Sequence, residues 1–111
     1  MKNKLKVYIA SPYTLGDVDS NVLVQIDAFA DLMEIGCIPF APLHYHFQHL
    51  VHPKGYEQWM ELCFEWIPVC DCLLRLPGKS DGADKEVELA KTLGKPIFYS
   101  IEELTEFLKN N

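Results

Sequence analysis

Short β-branched or aromatic runs alternate with stretches of helical periodicity along this chain, and most of the runs empty into loops rich in turn residues. That alternation leaves few folds open, because neighbouring parallel strands need crossover connections of a dozen residues or more, usually helices. Lys6 to Ala10 reads as the first strand, ending at the polar loop Ser11-Pro12-Tyr13-Thr14-Leu15-Gly16-Asp17. Asp19 or Ser20 is expected to cap a helix whose apolar positions Val22, Ile26, Phe29 and Met33 recur at three and four residues, with Gly36 closing it. Cys37 to Phe40 reads as a second strand. Pro39, which has no N–H for a ladder, puts that strand at a sheet edge.

The exit loop, from Leu43 to His52, carries His44, Tyr45 and His46. A helical stripe of Tyr56, Trp59, Met60, Cys63, Trp66 and Ile67 follows, ended by Pro68. Asp71 to Leu76 reads as a strand leading into Pro77-Gly78-Lys79-Ser80. A helix ending near Gly94, a strand over Pro96 to Tyr99 and a final helix over Ile101 to Lys109 complete the pattern, with Ser100 as cap and Glu103 at the capping-box position. Strands alternating with crossover helices imply a doubly wound parallel sheet, an α/β fold whose ligands bind beyond the carboxyl ends of the strands. The loops at Ser11 to Asp17, Leu43 to His52 and Gly78 to Ala83 all leave from that end.

With 111 residues and 49% hydrophobic content, residues 1–111 suffice for one small domain with one core. The formal net charge is −6 and the cations are scattered, which argues against a nucleic-acid polymer or an acidic membrane surface and favours a small ligand. The basic lead Met1 to Lys6 and the apolar run Val7 to Ala10 are too short for a signal peptide or a membrane span, so a cytoplasmic location is expected. Cys37, Cys63, Cys70 and Cys72 form no Cys-x-x-Cys pair, and with His44, His46, His49 and His52 they give no zinc-finger spacing. Buried thiols and no metal are the expectation.

The chemistry concentrates in residues 80–96, which place Glu86 near the start of a helix behind a Gly-containing loop. Unpaired N–H groups and the positive end of the helix dipole favour an ionised carboxylate there, and an ionised carboxylate can act as a nucleophile. The competing reading is structural. In it Ser80, Asp81 or Asp84 caps the helix and the acidic residues complement its dipole.

Three stretches carry a resemblance to a known family: Tyr8-Ile9-Ala10-Ser11-Pro12-Tyr13, Trp66-Ile67-Pro68-Val69-Cys70-Asp71, and Ser80-x-Gly82-x3-Glu86-x3-Ala90-x3-Gly94-Lys95. Over nearly its whole length the chain resembles the nucleoside 2-deoxyribosyltransferase superfamily, and within it the nucleoside 5'-monophosphate N-glycosidases. The resemblance implies a flavodoxin-like fold with no cofactor. It further implies that Glu86 attacks C1' of the sugar, that Tyr8 positions Glu86 and the sugar, and that the pocket is completed by a neighbouring subunit of a homodimer or higher oligomer.

At the position six residues before the nucleophile, the transferases of this family have an aspartate that faces the sugar 5'-hydroxyl. The nucleotide hydrolases have a serine that contacts the 5'-phosphate. Here it is Ser80, which leans toward a nucleotide, and the Gly82 amide is a second donor. The serine and arginine that the hydrolases supply from the first loop correspond here to Pro12 and Thr14. A further departure concerns the aspartate that helps protonate the departing base, because its position holds Cys63. Asp71, Glu61 or a histidine of the Leu43 to His52 loop is left to supply that proton.

The candidate set is therefore Glu86, Tyr8 and Asp71 for catalysis, and Ser11, Ser80, Gly82, Asn21 and His44 for substrate. Plainer roles stand beside these. Tyr8 fits a core aromatic, Asp71 a residue bonding neighbouring loop amides, Asp17 and Asn21 cap and turn residues, Cys63 a core thiol, and Trp59 and Trp66 core or subunit-interface residues. The alternative function is a non-catalytic nucleotide-binding or regulatory module.

Overall fold

The computed structural model describes residues 4–110; the leading Met1 to Asn3 of the basic N-terminal run, and Asn111, lie outside them. Among the described residues four parallel strands, β1 (Lys6–Ala10), β2 (Ile38–Phe40), β3 (Cys72–Arg75) and β4 (Ile97–Phe98), form one sheet in the order β2-β1-β3-β4. The helices are α1 (Val18–Glu34), α2 (Tyr45–Val51), α3 (Tyr56–Trp66), α4 (Asp81–Thr92) and α5 (Ile101–Lys109), with 3₁₀ turns at Pro42–His44 and Ile67–Val69. The chain steps outward from β1 to β2 and then returns to the other side of β1 to lay down β3. Strand order reverses between β1 and β3, and that reversal opens a crevice at their carboxyl ends.

The period-two alternation of β1 decides what reaches the crevice. Val7 and Ile9 point to the face covered by α1 and α5, where they join Ala28, Leu32, Leu74 and Leu104 in one core cluster. Tyr8 and Ala10 point to the opposite face, among Cys63, Ile67, Leu73, Ala83, Val87 and Ala90 of α3, β3, α4 and the 67–69 turn. Both faces are covered, so the sheet is doubly wound as the sequence implied, and β2 with Pro39 is an edge strand. Tyr8 is fully buried on the α4 side.

Three local expectations change. The buried stripe of α1 is Val22, Gln25, Ala28 and Leu32, one position before the bulkier set Ile26, Phe29 and Met33, and Met33 is exposed. Of the candidate caps, Asp17 holds the position rather than Asp19 or Ser20, and its carboxylate accepts from the Ser20 hydroxyl at 2.5 Å. The segment read as a loop from Leu43 to His52 contains the 3₁₀ turn and α2. The final helix has the expected bounds: the Ser100 hydroxyl accepts from Glu103 N–H at 3.0 Å, and the Glu103 carboxylate accepts from Tyr99 N–H at 3.0 Å. Among the described residues, no helix is long and apolar enough to cross a membrane.

Candidate active site

A cavity of about 750 Å³ opens over the β1–β3 crevice, walled by the loops that leave β1, β2 and β3 and by α2, α3 and α4. At its base lies Glu86, in the second turn of α4 and only 6% exposed. The Tyr8 hydroxyl donates to its Oε2, across 78 positions of sequence. Burial pushes the Glu86 carboxyl up to about 7, and the Tyr8 hydrogen bond and the Arg75 charge oppose part of that rise. Glu86 therefore holds its proton to a higher pH than a place near a helix N-terminus implies. The dipole acts within the first turn, where Asp81 and Asp84 sit, whereas Glu86 is one turn deeper and experiences mainly desolvation.

Beside this pair stands Cys63 of α3, which is both a core residue and part of the cavity wall. Burial and the neighbouring Glu86 charge push its thiol up to about 11, so it is a neutral S–H near pH 7. Tyr8 is likewise held well above the ordinary tyrosine range, by burial and by Glu86.

Gln25 organises the opposite wall. It is a fully buried amide on α1; its Nε2 donates to the Ser11 hydroxyl at 2.8 Å and to Ile9 O at 3.3 Å, and its Oε1 accepts from Leu43 N–H at 2.9 Å. One side chain thus ties the loop after β1 to the loop after β2. Because Ser11 Oγ accepts from Gln25, its own hydrogen is free for another acceptor, and Ser11 borders the cavity.

The third loop is held from below by Arg75. Its guanidinium donates to Leu76 O, to Gly78 O at 2.9 Å and to Asp84 Oδ1 at 3.0 Å, which fastens the loop to the first turn of α4. Gly78 has φ +118°, and a Cβ there would sit 2.7 Å from Pro12 Cγ, so the first and third loops touch at a point only glycine permits. The Ser80 hydroxyl caps α4 by accepting from Ala83 N–H at 3.1 Å. Gly82 faces Tyr56 and Met60 of α3, with Tyr56 Oη 3.4 Å from where a Cβ would stand.

Aromatic residues close the remaining side. Tyr45 stacks on Trp59 with centroids 5.4 Å apart, and Trp66 Nε1–H donates to the Tyr45 hydroxyl at 3.1 Å. Trp59 borders the cavity, whereas Trp66 stacks on Phe40 outside it. Lys54, Lys79 and Lys85 line the cavity as cations, against the carboxylates of Asp81 and Glu86.

A family model described as a domain of unknown function, DUF7768, matches residues 5–100. The chain belongs to that family. Among solved structures, a 2-deoxyribosyltransferase from Bacillus psychrosaccharolyticus is similar at 24% identity, with a TM-score of 0.59, over 83% of this chain and 69% of that one. At that identity the likeness shows a shared fold. No curated protein matches the sequence.

In this DUF7768 chain the structure brings together Glu86, Tyr8, Ser11, Ser80 and Gly82, which sequence reasoning had grouped. It does not bring the other three candidates to the cavity. Asp71 precedes β3 and so lies at the amino end of the sheet, exposed, where its carboxylate accepts from Lys6 N–H at 2.8 Å. Asn21 braces the first loop through Tyr13 O at 2.8 Å and Leu15 O at 3.0 Å. His44 is exposed, its Nδ1 3.1 Å from Ala41 O and its ring edge-on to Phe29. The histidines that border the cavity are His46 and His49, one turn apart on α2.

Gln25 and Arg75 escaped the sequence reading, whereas His46 and His49 stand in it as members of the Leu43 to His52 loop whose histidines were candidates for the proton donor. Only the histidines carried a signal, a polar cluster after a predicted strand, and the helical phase of α2 decides which of them face inward. Among the described residues, no group of three or more His, Cys, Asp or Glu is gathered as metal ligands would be.

Proposed function

We propose that this DUF7768 domain is a member of the nucleoside 2-deoxyribosyltransferase superfamily that cleaves or transfers the N-glycosidic bond of a nucleoside 5'-monophosphate or nucleoside, with Glu86 as the nucleophile. The observation that carries the reading is the buried Glu86 carboxylate, held by the Tyr8 hydroxyl at the base of a cavity of nucleotide size. A carboxylate whose pKa has risen to about 7 has gained basicity, and in its ionised form its second oxygen is free to attack C1'. Attack displaces the base and leaves a glycosyl ester on Glu86, which water or a second base resolves at the same carbon, by the logic of retaining glycosidases.

The phosphate assignment draws on charge. In a chain of net charge −6, three lysines and two carboxylates border this cavity, together with the hydroxyls of Ser11 and Ser80. A 5'-phosphate suits such a wall better than a neutral hydroxymethyl group does. The 2-deoxyribosyltransferase that shares the fold is named for sugar transfer, which fits the same reading. No cofactor is called for, and the substrate is a small molecule handled in the cytoplasm.

Chromatography of free base from a panel of nucleosides and 5'-monophosphates, with and without an acceptor base, tests the proposal. Release by the parent and none by Glu86→Gln is expected. Tight nucleotide binding with no release by the parent would support the second reading, a binding module, which Cys63 at the acid position favours because a thiol near 11 is a poor donor.

The active form is proposed to be a homodimer or higher oligomer. Phe47, Leu50 and Val51 are exposed apolar residues of α2 that do not line the cavity, Tyr56 of α3 is exposed in its wall, and α2 buries none of its residues. Light scattering at micromolar concentration should return at least twice the chain mass; a monomer that turns over fully would exclude a shared pocket.

A further inference from the structure

A base leaving C1' takes the bonding electron pair with it, and it leaves faster when a proton reaches it in the same step. Cys63 holds its proton too tightly for that role, and Asp71 is at the other end of the sheet. The inference that follows rests on the glycosidase reading above and concerns which residue fills the gap.

His46 and His49 both border the cavity from α2, yet their partners differ in kind. His49 Nδ1 accepts twice, from Trp59 Nε1–H at 2.8 Å and from Lys54 N–H at 3.2 Å. An indole and a backbone amide only donate. A proton on His49 Nδ1 would break both bonds, so in this geometry Nδ1 serves as an acceptor. His46 Nδ1 instead lies 2.6 Å from the Tyr13 hydroxyl. A hydroxyl donates or accepts. A charged His46 donates Nδ1–H to the Tyr13 oxygen, and the neutral ring left when Nε2 gives up its proton keeps that same Nδ1–H bond, so one contact serves both protonation states with Nε2 open to receive a proton again. Burial raises Tyr13 above its ordinary value, which keeps the hydroxyl intact through the cycle.

We propose that His46 is the proton donor to the departing base and that Tyr13 is the residue that positions it. As the Glu86 oxygen bonds to C1', the C1'–N bond breaks and its electron pair stays on the base nitrogen, which takes the proton from His46 Nε2. In the second half a water attacks C1', gives a proton to the neutral His46, and Glu86 departs as a carboxylate. The sum is nucleotide plus water giving free base plus sugar phosphate, with His46 and Glu86 returned to their starting states.

The test compares a purine nucleoside 5'-monophosphate with its 7-methylated counterpart, whose cationic base departs as a neutral molecule and needs no proton. His46→Gln should slow release of the ordinary base by about 10²- to 10⁴-fold and of the 7-methyl base by less than about tenfold. Tyr13→Phe, which keeps the ring, should show the same dependence on leaving group at smaller size. Free imidazole should restore part of the rate to His46→Ala. His49→Gln should change both substrates by the same factor. Equal losses for the two leaving groups in both His46→Gln and Tyr13→Phe would overturn the inference, as would the larger leaving-group dependence appearing in His49→Gln. If His46→Gln is unstable, Tyr13→Phe and the imidazole arm decide alone. Failure of the underlying reading looks different: a parent that releases neither base, or a Glu86→Gln that releases the 7-methyl base at the parental rate, removes the nucleophile whatever His46 does.

Discussion

The Tyr8 hydroxyl, carried on β1, donates to the Glu86 carboxylate, carried on α4, and both residues are buried where the sheet meets the cavity. A carboxyl in that position works against the fold when it is charged. Its ordinary value is 4.5 and its folded value is about 7, so the folded chain holds this proton over a range in which the unfolded chain has lost it. The stability that the protonated form contributes is complete below about 4.5 and is lost as the pH rises through about 7. Glu86→Gln should therefore be more stable than the parent at pH 8, by on the order of 3 kcal/mol, with the gap closing toward pH 5. Urea unfolding of both proteins at the two pH values checks this; a gap independent of pH would contradict it.

Gln25 makes a second, separate claim on stability. Gln25→Leu keeps the bulk but strands the Ser11 hydroxyl, Ile9 O and Leu43 N–H without their partner. Each buried polar group left unsatisfied costs about 1–3 kcal/mol, so a loss of at least ~2 kcal/mol is expected. Because the same bonds join the first and second loops, ligand affinity should fall with it. Denaturant unfolding and nucleotide titration on one preparation measure both, and a variant as stable as the parent would remove Gln25 as the tie between the loops.

At Gly78 the first and third loops meet. Gly78→Ala adds a carbon 2.7 Å from Pro12 Cγ at a φ of +118°, and about 1–3 kcal/mol of destabilisation is expected. Pro12→Ala in the same chain should recover the steric part and leave the backbone part. Thermal melts of the two single variants and the double variant give that coupling, and strictly additive losses would mean that the loops do not touch.

How much of this was legible in the sequence depended on the range of each signal. The strands and α5 were legible because their cues are local: β-branched runs, Pro39 for an edge, Ser100 and Glu103 for a cap. The face of α1 was misjudged by one position because Gln25 is polar and Ala28 small, while Ile26, Phe29 and Met33 are larger and apolar. Gln25 is inside because it has partners on two loops, which no local pattern encodes. The helix α2 was missed for a related reason: it continues from a 3₁₀ turn through His44 in a helical conformation, without a side-chain cap, and buries nothing. Asp71 was placed in the site although it precedes β3, and the amino end of a parallel strand faces away from the ligand crevice. The ionisation of Glu86 was judged from its place on the helix, whereas burial by α3 and β1, a tertiary effect, dominates.

The proposed nucleophile, Glu86, would form a covalent bond to the sugar. A 2'-fluorinated nucleoside 5'-monophosphate slows breakdown of such an intermediate, so incubation followed by proteolysis and mass spectrometry reads the bond directly. The predicted result is a fluorinated sugar phosphate added to the peptide that contains Glu86, present in the parent and absent from Glu86→Gln. Release of the base by the parent with no adduct on that peptide, or an adduct on another residue that persists in Glu86→Gln, would remove Glu86 as the nucleophile.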